Sequence, residues 1–220
     1  VLRQVPDAHL TVAGDFTGYS DAQSAQYKQK LYQLAEQLGL GDRLWFAGPV
    51  EGEAKDALFR ESDVLINLST DPGETFGFNL IEAKTWGVPV VCTSWDGFRE
   101  VIRDGVDGWL VDVSWEGELP VIALDQAVHH CVRLLQEPAL YHSMSVQART
   151  DAARYDCRRI CPLIAEAVEE ASWYRAGADP LIGQLAMTGL SKLPDLFVLD
   201  RLEHYPFYHH SLLGILTDAR

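Results

Sequence analysis

Three short runs in this chain, "DVLINLS" (63–69), "VPVVCTS" (88–94) and "GWLVD" (108–112), are apolar almost without interruption. A strand with one wet face alternates polar and apolar residues, so strands like these must be covered on both faces. The segments between them have the spacing or turn signals of helices, over about 78–86 and near "FREVI" (98–102). The same alternation begins earlier. "HLTVAGDF" (9–16) precedes a helical segment in which Tyr27, Leu31, Leu34, Ala35 and Leu38 keep a common face, and "RLWFAG" (43–48) precedes "EGEAKDALFRES" (51–62). Strands alternating with helices specify the α/β class, here a Rossmann-like parallel sheet with helices on both faces.

From about residue 121 the pattern is helical in three segments, "ALDQAVHHCVRLLQEP", "ALYHSMSVQARTDAARY" and "CRRICPLIAEAVEEASWYRAG". Pro162 is expected to kink or start the last of them. The expected organisation is a Rossmann-like domain over 1–155, a C-terminal helix over 156–177, and an aromatic tail over 178–220 that packs on the domain or on a partner.

Length and composition exclude several classes. At 220 residues the chain can bury a full core, and no apolar run approaches the roughly 18 residues that cross a bilayer. With no signal-peptide pattern at residue 1, a cytoplasmic location is expected. The formal charge of −14 opposes broad contact with nucleic acid or an anionic membrane, so no nucleic-acid partner is expected. Cys92, Cys131, Cys157 and Cys161 form no C-x-x-C pair and are read as free buried thiols. The pairs His129-His130 and His209-His210 diverge on any regular element and are read as surface or interface residues rather than metal ligands.

Ligands of such sheets lie beyond the carboxyl ends of the strands. The stretch "STDPGETFGFNLIEAKTWGVPVVCTS" (69–94) falls there, with Glu74 on the loop after the strand and Glu82 on the helix that follows. Gly77 permits close backbone approach, and the free amides of Gly77, Phe78 and Asn79 would form an anion site at the helix's positive end. Glu82 lies about 6 Å further along the axis, in reach of a ribose whose pyrophosphate sits on those amides. Asn79, Glu82 and Trp86 share one face, while Leu80, Ile81 and Ala83 turn toward the sheet.

"GLGDRLWFAGPV", "DVLINLS" and "ETFGFNLIEAKTWGVPVVCTSWDGFREVIRDGVDGWLV" together resemble the nucleotide-sugar half of the retaining glycosyltransferases of family 4, which have the two-domain GT-B fold and an E-x7-E motif. The resemblance covers about residues 8–112 well and the helices to about 175 loosely. It implies a catalytic or sugar-contacting role for Glu74. By the same likeness the amides of Phe76, Gly77, Phe78 and Asn79 would hold the diphosphate and Glu82 the ribose. Gly48, Pro49 and Val50 match the segment along the base, Gly14 and Asp15 the glycine turn near the donor, and Gly97 and Glu100 the Gly-Gly-x-x-Glu run. Two departures stand out: Asp96 occupies the first glycine position of that run, and Phe16 the second glycine of the turn.

In the family an Arg and a Lys that neutralise the diphosphate, and the acceptor-binding domain, precede this segment. The resemblance therefore implies the donor-binding half of a transferase for a UDP- or GDP-sugar, inactive by itself. The acceptor, a glycan, lipid or small molecule, would sit on an N-terminal domain. No metal or other cofactor is expected, since no D-x-D triplet occurs. Of the nearby cations Lys84, Arg99 and Arg103, the first and last are expected to be solvated. The competing reading is a sugar-nucleotide-binding module without transfer activity, or another GT-B enzyme such as an epimerase.

Overall fold

The computed structural model describes residues 1–15 and 20–177; Phe16, in the glycine turn, and the aromatic tail from 178 lie outside it. It divides into a first unit, Val1–Cys157, and a second that begins at Arg158.

In the first unit, β1 (Leu10–Ala13) leads into α1 (Asp21–Gln37), β2 (Leu44–Gly48), α2 (Gly52–Glu61) and β3 (Leu65–Asn67). Then follow α3 (Phe78–Trp86), β4 (Val90–Thr93), α4 (Phe98–Val101) and β5 (Gly108–Val111). A hairpin, β6 (Val113–Glu116) and β7 (Leu119–Ile122), precedes α5 (Leu124–Gln136) and α6 (Pro138–Ala152). All contacts among β1 to β5 are parallel, as expected from the apolar runs. They form two sheets rather than one, β1-β2 and β3-β4-β5. Apolar patterning selects the strands but does not select their neighbours.

β4 is the centre of the second sheet, and all four of its residues are buried. Its pleat sends Val90 and Cys92 into a core with Leu80, Ala83, Phe98 and Val101, from α3 and α4. Val91 faces the other way, joining Trp109 and Val111 against Ala127, Cys131 and Leu134 of α5 and Met144 of α6. Helices thus cover both faces of this sheet. The β1-β2 layer is thinner. Tyr27, Leu34 and Leu38 of the α1 stripe stay about half exposed, and Leu31 and Ala35 are only partly covered.

The sequence pattern misses the β6–β7 hairpin. Its strands, VSWE and LPVI, are only four residues each and one is half polar, so Gly117 at φ +65° is their clearest turn signal. α7 (Cys157–Gly177) contains Pro162 within its length and does not start there. The cysteines separate into two classes: Cys92 and Cys131 are buried, whereas Cys157 and Cys161 are exposed, because the start of α7 leaves them uncovered.

Candidate active site

The loop after β3 is held at several points. Asn67, the last residue of β3, accepts from the Ser69 amide through Oδ1 at 3.0 Å and donates through Nδ2 to Asn79 Oδ1 at 3.3 Å. Thr93 Oγ1 donates to the Ser69 carbonyl, and Trp95 Nε1 to the Asp71 carbonyl at 3.0 Å. Asp71 Oδ1 accepts from the Gly73 amide at 2.7 Å. Glu74 follows in a loop whose backbone is anchored at both ends.

Glu74 is half-buried, and its Oε1 accepts from the Gly77 amide at 3.0 Å. This corrects the expectation that the Gly77 amide is free for a phosphate: the carboxylate three residues earlier takes it. Capping explains the geometry, since an acidic group beside the first amides of a helix offsets their unpaired donors and the helix dipole. The amides of Phe78 and Asn79, in the first turn of α3, still have no carbonyl one turn earlier to receive them. Gly77 itself sits at φ +79°, and a Cβ there would lie 2.7 Å from the Phe98 ring and 2.9 Å from Leu80. Glycine is required on both counts. Phe76 and Phe78 flank it with their rings edge to face at 5.1 Å, Phe78 largely exposed.

One turn into α3, Glu82 Oε1 accepts from Lys55 Nζ at 2.6 Å. Lys55 belongs to α2, the helix that follows Gly48-Pro49-Val50, so this ion pair joins the predicted base segment to the predicted ribose acid. Both side chains are about two-fifths exposed, which leaves Glu82 open to a ligand. At the first sheet, the Gly14 amide donates to the Gly48 carbonyl at 2.9 Å, and both glycines have positive φ, so the two predicted glycine positions meet at the ends of β1 and β2. Asp15 is the last residue described before the loop.

Gly97 packs against the Glu74 loop from the other side. A Cβ at Gly97 would stand 1.9 Å from the Thr75 carbonyl oxygen. Asp96, where the resemblance has glycine, takes φ +34°, the one non-glycine residue with positive φ among the described residues. The corner is thus kept despite the change, since Asp tolerates the left-handed region better than most side chains. Glu100 is exposed on α4, and its backbone carbonyl accepts from Arg154 Nη2 at 2.8 Å.

Lys84 corrects the expectation of a solvated cation. It is fully buried, and its Nζ lies 2.7 Å from the Val101 carbonyl, 2.5 Å from Asp151 Oδ2 and 3.3 Å from Asp107 Oδ2. Arg103, at 45% exposure, completes the network from outside with Asp107 at 2.8 Å. The sign was legible: Lys84 follows Leu80 by one helical turn and so shares its buried face. This network ties α3 to the segment before β5 and to α6, behind the two glutamates. The hairpin residue Trp115 and the corner residue Trp95 had no sequence signal of this kind, because only the fold brings them together.

Residues 1–149 match the family of glycosyl transferases group 1. The chain belongs to that family. Its relatives include the phosphatidyl-myo-inositol mannosyltransferase of Mycobacterium tuberculosis, 32% identical over 157 residues, which are 71% of this chain and 37% of that protein. Another is the D-inositol 3-phosphate glycosyltransferase of Geodermatophilus obscurus, 40% identical over 111 residues, 50% of this chain and 23% of that protein. The chain therefore spans between about a quarter and two fifths of the length of these curated relatives. Among solved structures it is similar to Alr3699/HepE of Anabaena in complex with UDP, with TM-score 0.62, 25% identity, and coverage of 75% of this chain and 42% of that one. Sucrose-phosphate synthase of Thermosynechococcus elongatus shares the fold at TM-score 0.63 and 21% identity, over 77% of this chain and 40% of that one. These neighbours are GT-B glycosyltransferases. Among the described residues, no helix is long and apolar enough to cross a membrane.

Proposed function

We propose that this glycosyltransferase chain binds the donor of a retaining hexosyl transfer, a UDP- or GDP-sugar, in the cytoplasm and without a metal. The observation that carries the reading is the pair of glutamates on one helix start: Glu74 capping α3 and Glu82 one turn in, both at the carboxyl end of β3. The UDP complex of a structural relative points the same way.

Transfer breaks the bond between the sugar's anomeric carbon and the diphosphate, and an acceptor hydroxyl takes that place. The departing diphosphate gathers negative charge, and the first amides of α3, at Phe78 and Asn79, would meet it with fixed donors that need no reorganisation. Positive charge develops at the anomeric carbon, and the carboxylate of Glu74 would face it. Glu82 would exchange Lys55 for the ribose hydroxyls, a small loss because exposed ion pairs contribute about 1 kcal/mol or less. The acceptor, a glycan, lipid or small molecule, would be held by an N-terminal domain.

Calorimetric titration with UDP, GDP and their hexose conjugates, in the presence of EDTA, tests the reading. Binding of one nucleotide is expected, with Glu82→Ala weakening nucleotide and sugar nucleotide alike. Glu74→Gln retains an oxygen for the Gly77 amide while removing the charge, so it should weaken only the sugar nucleotide. Absence of any binding at millimolar ligand sinks the donor site, and equal losses for both ligands in Glu74→Gln sink the division of roles.

A further inference from the structure

Beside the Glu74 loop lies a cavity of about 390 Å³ that the two glutamates do not line. Its walls include Pro72, Trp95, Asp96, Arg99 and Trp115. Trp95 and Asp96 follow β4 at its carboxyl end, and Trp115 comes from the β6–β7 hairpin. The two indoles stand 5.8 Å apart at 41°, two walls of a corner with no room for a ring to slide between them. Trp95 is fixed by its bond to the Asp71 carbonyl, whereas Trp115 is 60% exposed and has its face available.

The polar groups are unspent. Among the described residues no group donates to the Asp96 carboxylate, and the one hydrogen bond from the Arg99 side chain is a long one, 3.4 Å from Nε to the Asp96 carbonyl. Asp96 also holds a backbone conformation that side-chain-bearing residues rarely adopt, and such conformations gather at ligand sites. An aromatic corner with one anchored wall and a few convergent polar groups makes a small-ligand site.

We propose that this cavity is a carbohydrate subsite that takes a pyranose ring. A pyranose matches both kinds of wall: its C–H face packs on an indole, and the hydroxyls on its rim donate to Asp96 and accept from Arg99. A phosphate would meet Arg99 but also the Asp96 carboxylate, and a nucleotide base, which also carries N–H donors and carbonyl acceptors, is the alternative that displacement by UDP or GDP tests. The cavity touches the loop that carries Glu74 but is not lined by either glutamate, so the ring is a distal sugar of an acceptor whose reacting end the N-terminal domain would hold. That last step rests on the transferase reading, while sugar binding itself does not.

Saturation-transfer NMR on methyl α-D-glucopyranoside, methyl α-D-mannopyranoside and methyl β-D-galactopyranoside tests it, each at about 10 mM because a single ring with few anchors binds weakly. At least one glycoside should receive saturation on its ring C–H protons. Trp115→Ala should weaken that binding roughly tenfold or more, since an aromatic anchor carries most of such a contact. Arg99→Ala should weaken it as well, and UDP or GDP affinity should stay within about twofold of the parent in Trp115→Ala, whose site is exposed and off the core. The proposal is overturned if no glycoside receives saturation, if Trp115→Ala binds as the parent does, or if UDP or GDP alone displaces the sugar. Calorimetry with nucleotides reads the donor site separately, so either reading can fail while the other stands.

Discussion

Replacing Lys84 with methionine is the sharpest perturbation of the scaffold behind the site. The side chains are of similar length, so the change removes the charge and three donors while keeping the volume. Left behind are Asp107, fully buried, and Asp151, 8% exposed, whose carboxylates lose a cation at 3.3 and 2.5 Å. The Val101 carbonyl loses its donor too. Removing one partner of a buried ion pair costs about 3 to 5 kcal/mol, because the remaining charge keeps its desolvation penalty. The lower end applies, since Arg103 still reaches Asp107 at 2.8 Å and Asp151 at 3.4 Å from a half-exposed position. With a urea m-value of about 2 kcal/mol/M, about 3 kcal/mol lowers the unfolding midpoint by roughly 1.5 M. Lys55→Ala is the internal control. It also deletes a lysine paired to α3, but with both partners about two-fifths exposed the loss should stay under about 1 kcal/mol, or roughly 0.5 M. Urea unfolding followed by circular dichroism reads both. If Lys84→Met shifts the midpoint no more than Lys55→Ala does, the account of a desolvated charge network is wrong.

Gly97→Ala should drive a methyl into the Thr75 carbonyl, 1.9 Å from its Cβ, and backbone cannot rotate away as a side chain would. A loss of about 2 to 3 kcal/mol, a fall in Tm of roughly 6 °C or more, and weaker sugar-nucleotide binding are expected; an unchanged Tm refutes the close packing of this corner on the Glu74 loop. Native thiol titration should count two fast groups, Cys157 and Cys161, with Cys92 and Cys131 reacting only on unfolding. Burial pushes the Cys92 thiol up to about 12 and the Cys131 thiol up to about 11. The unfolded thiols ionise from about pH 8.5, so this part of the stability is whole below that pH and is lost as pH rises toward 11 and 12. Flat stability from pH 8 to 10.5, or four fast thiols, would contradict it.

The linear order of residues by itself determined the α/β class, the bounds of the parallel strands to within three residues, and the start of α3 at Phe78. These depend on local facts: an uninterrupted apolar run has to be covered twice, and Gly77 and Gly87 bracket a helix because each takes a positive φ. It also picked out Glu74 and Glu82 by their spacing. Tertiary structure decided what those groups touch. Glu74 takes the Gly77 amide, Glu82 takes Lys55 from a helix 27 residues earlier, and Lys84 is sunk among Asp107 and Asp151. Strand neighbours belong to the same class, as do the meeting of Trp95 with Trp115 and the separation of buried from exposed thiols. Each depends on contacts between residues far apart in the chain, and a pattern of 2 or 3.6 residues carries no information about which distant segment will arrive. The spacing from Leu80 puts Lys84 on the buried face, but only the fold brings Asp107 and Asp151 to it.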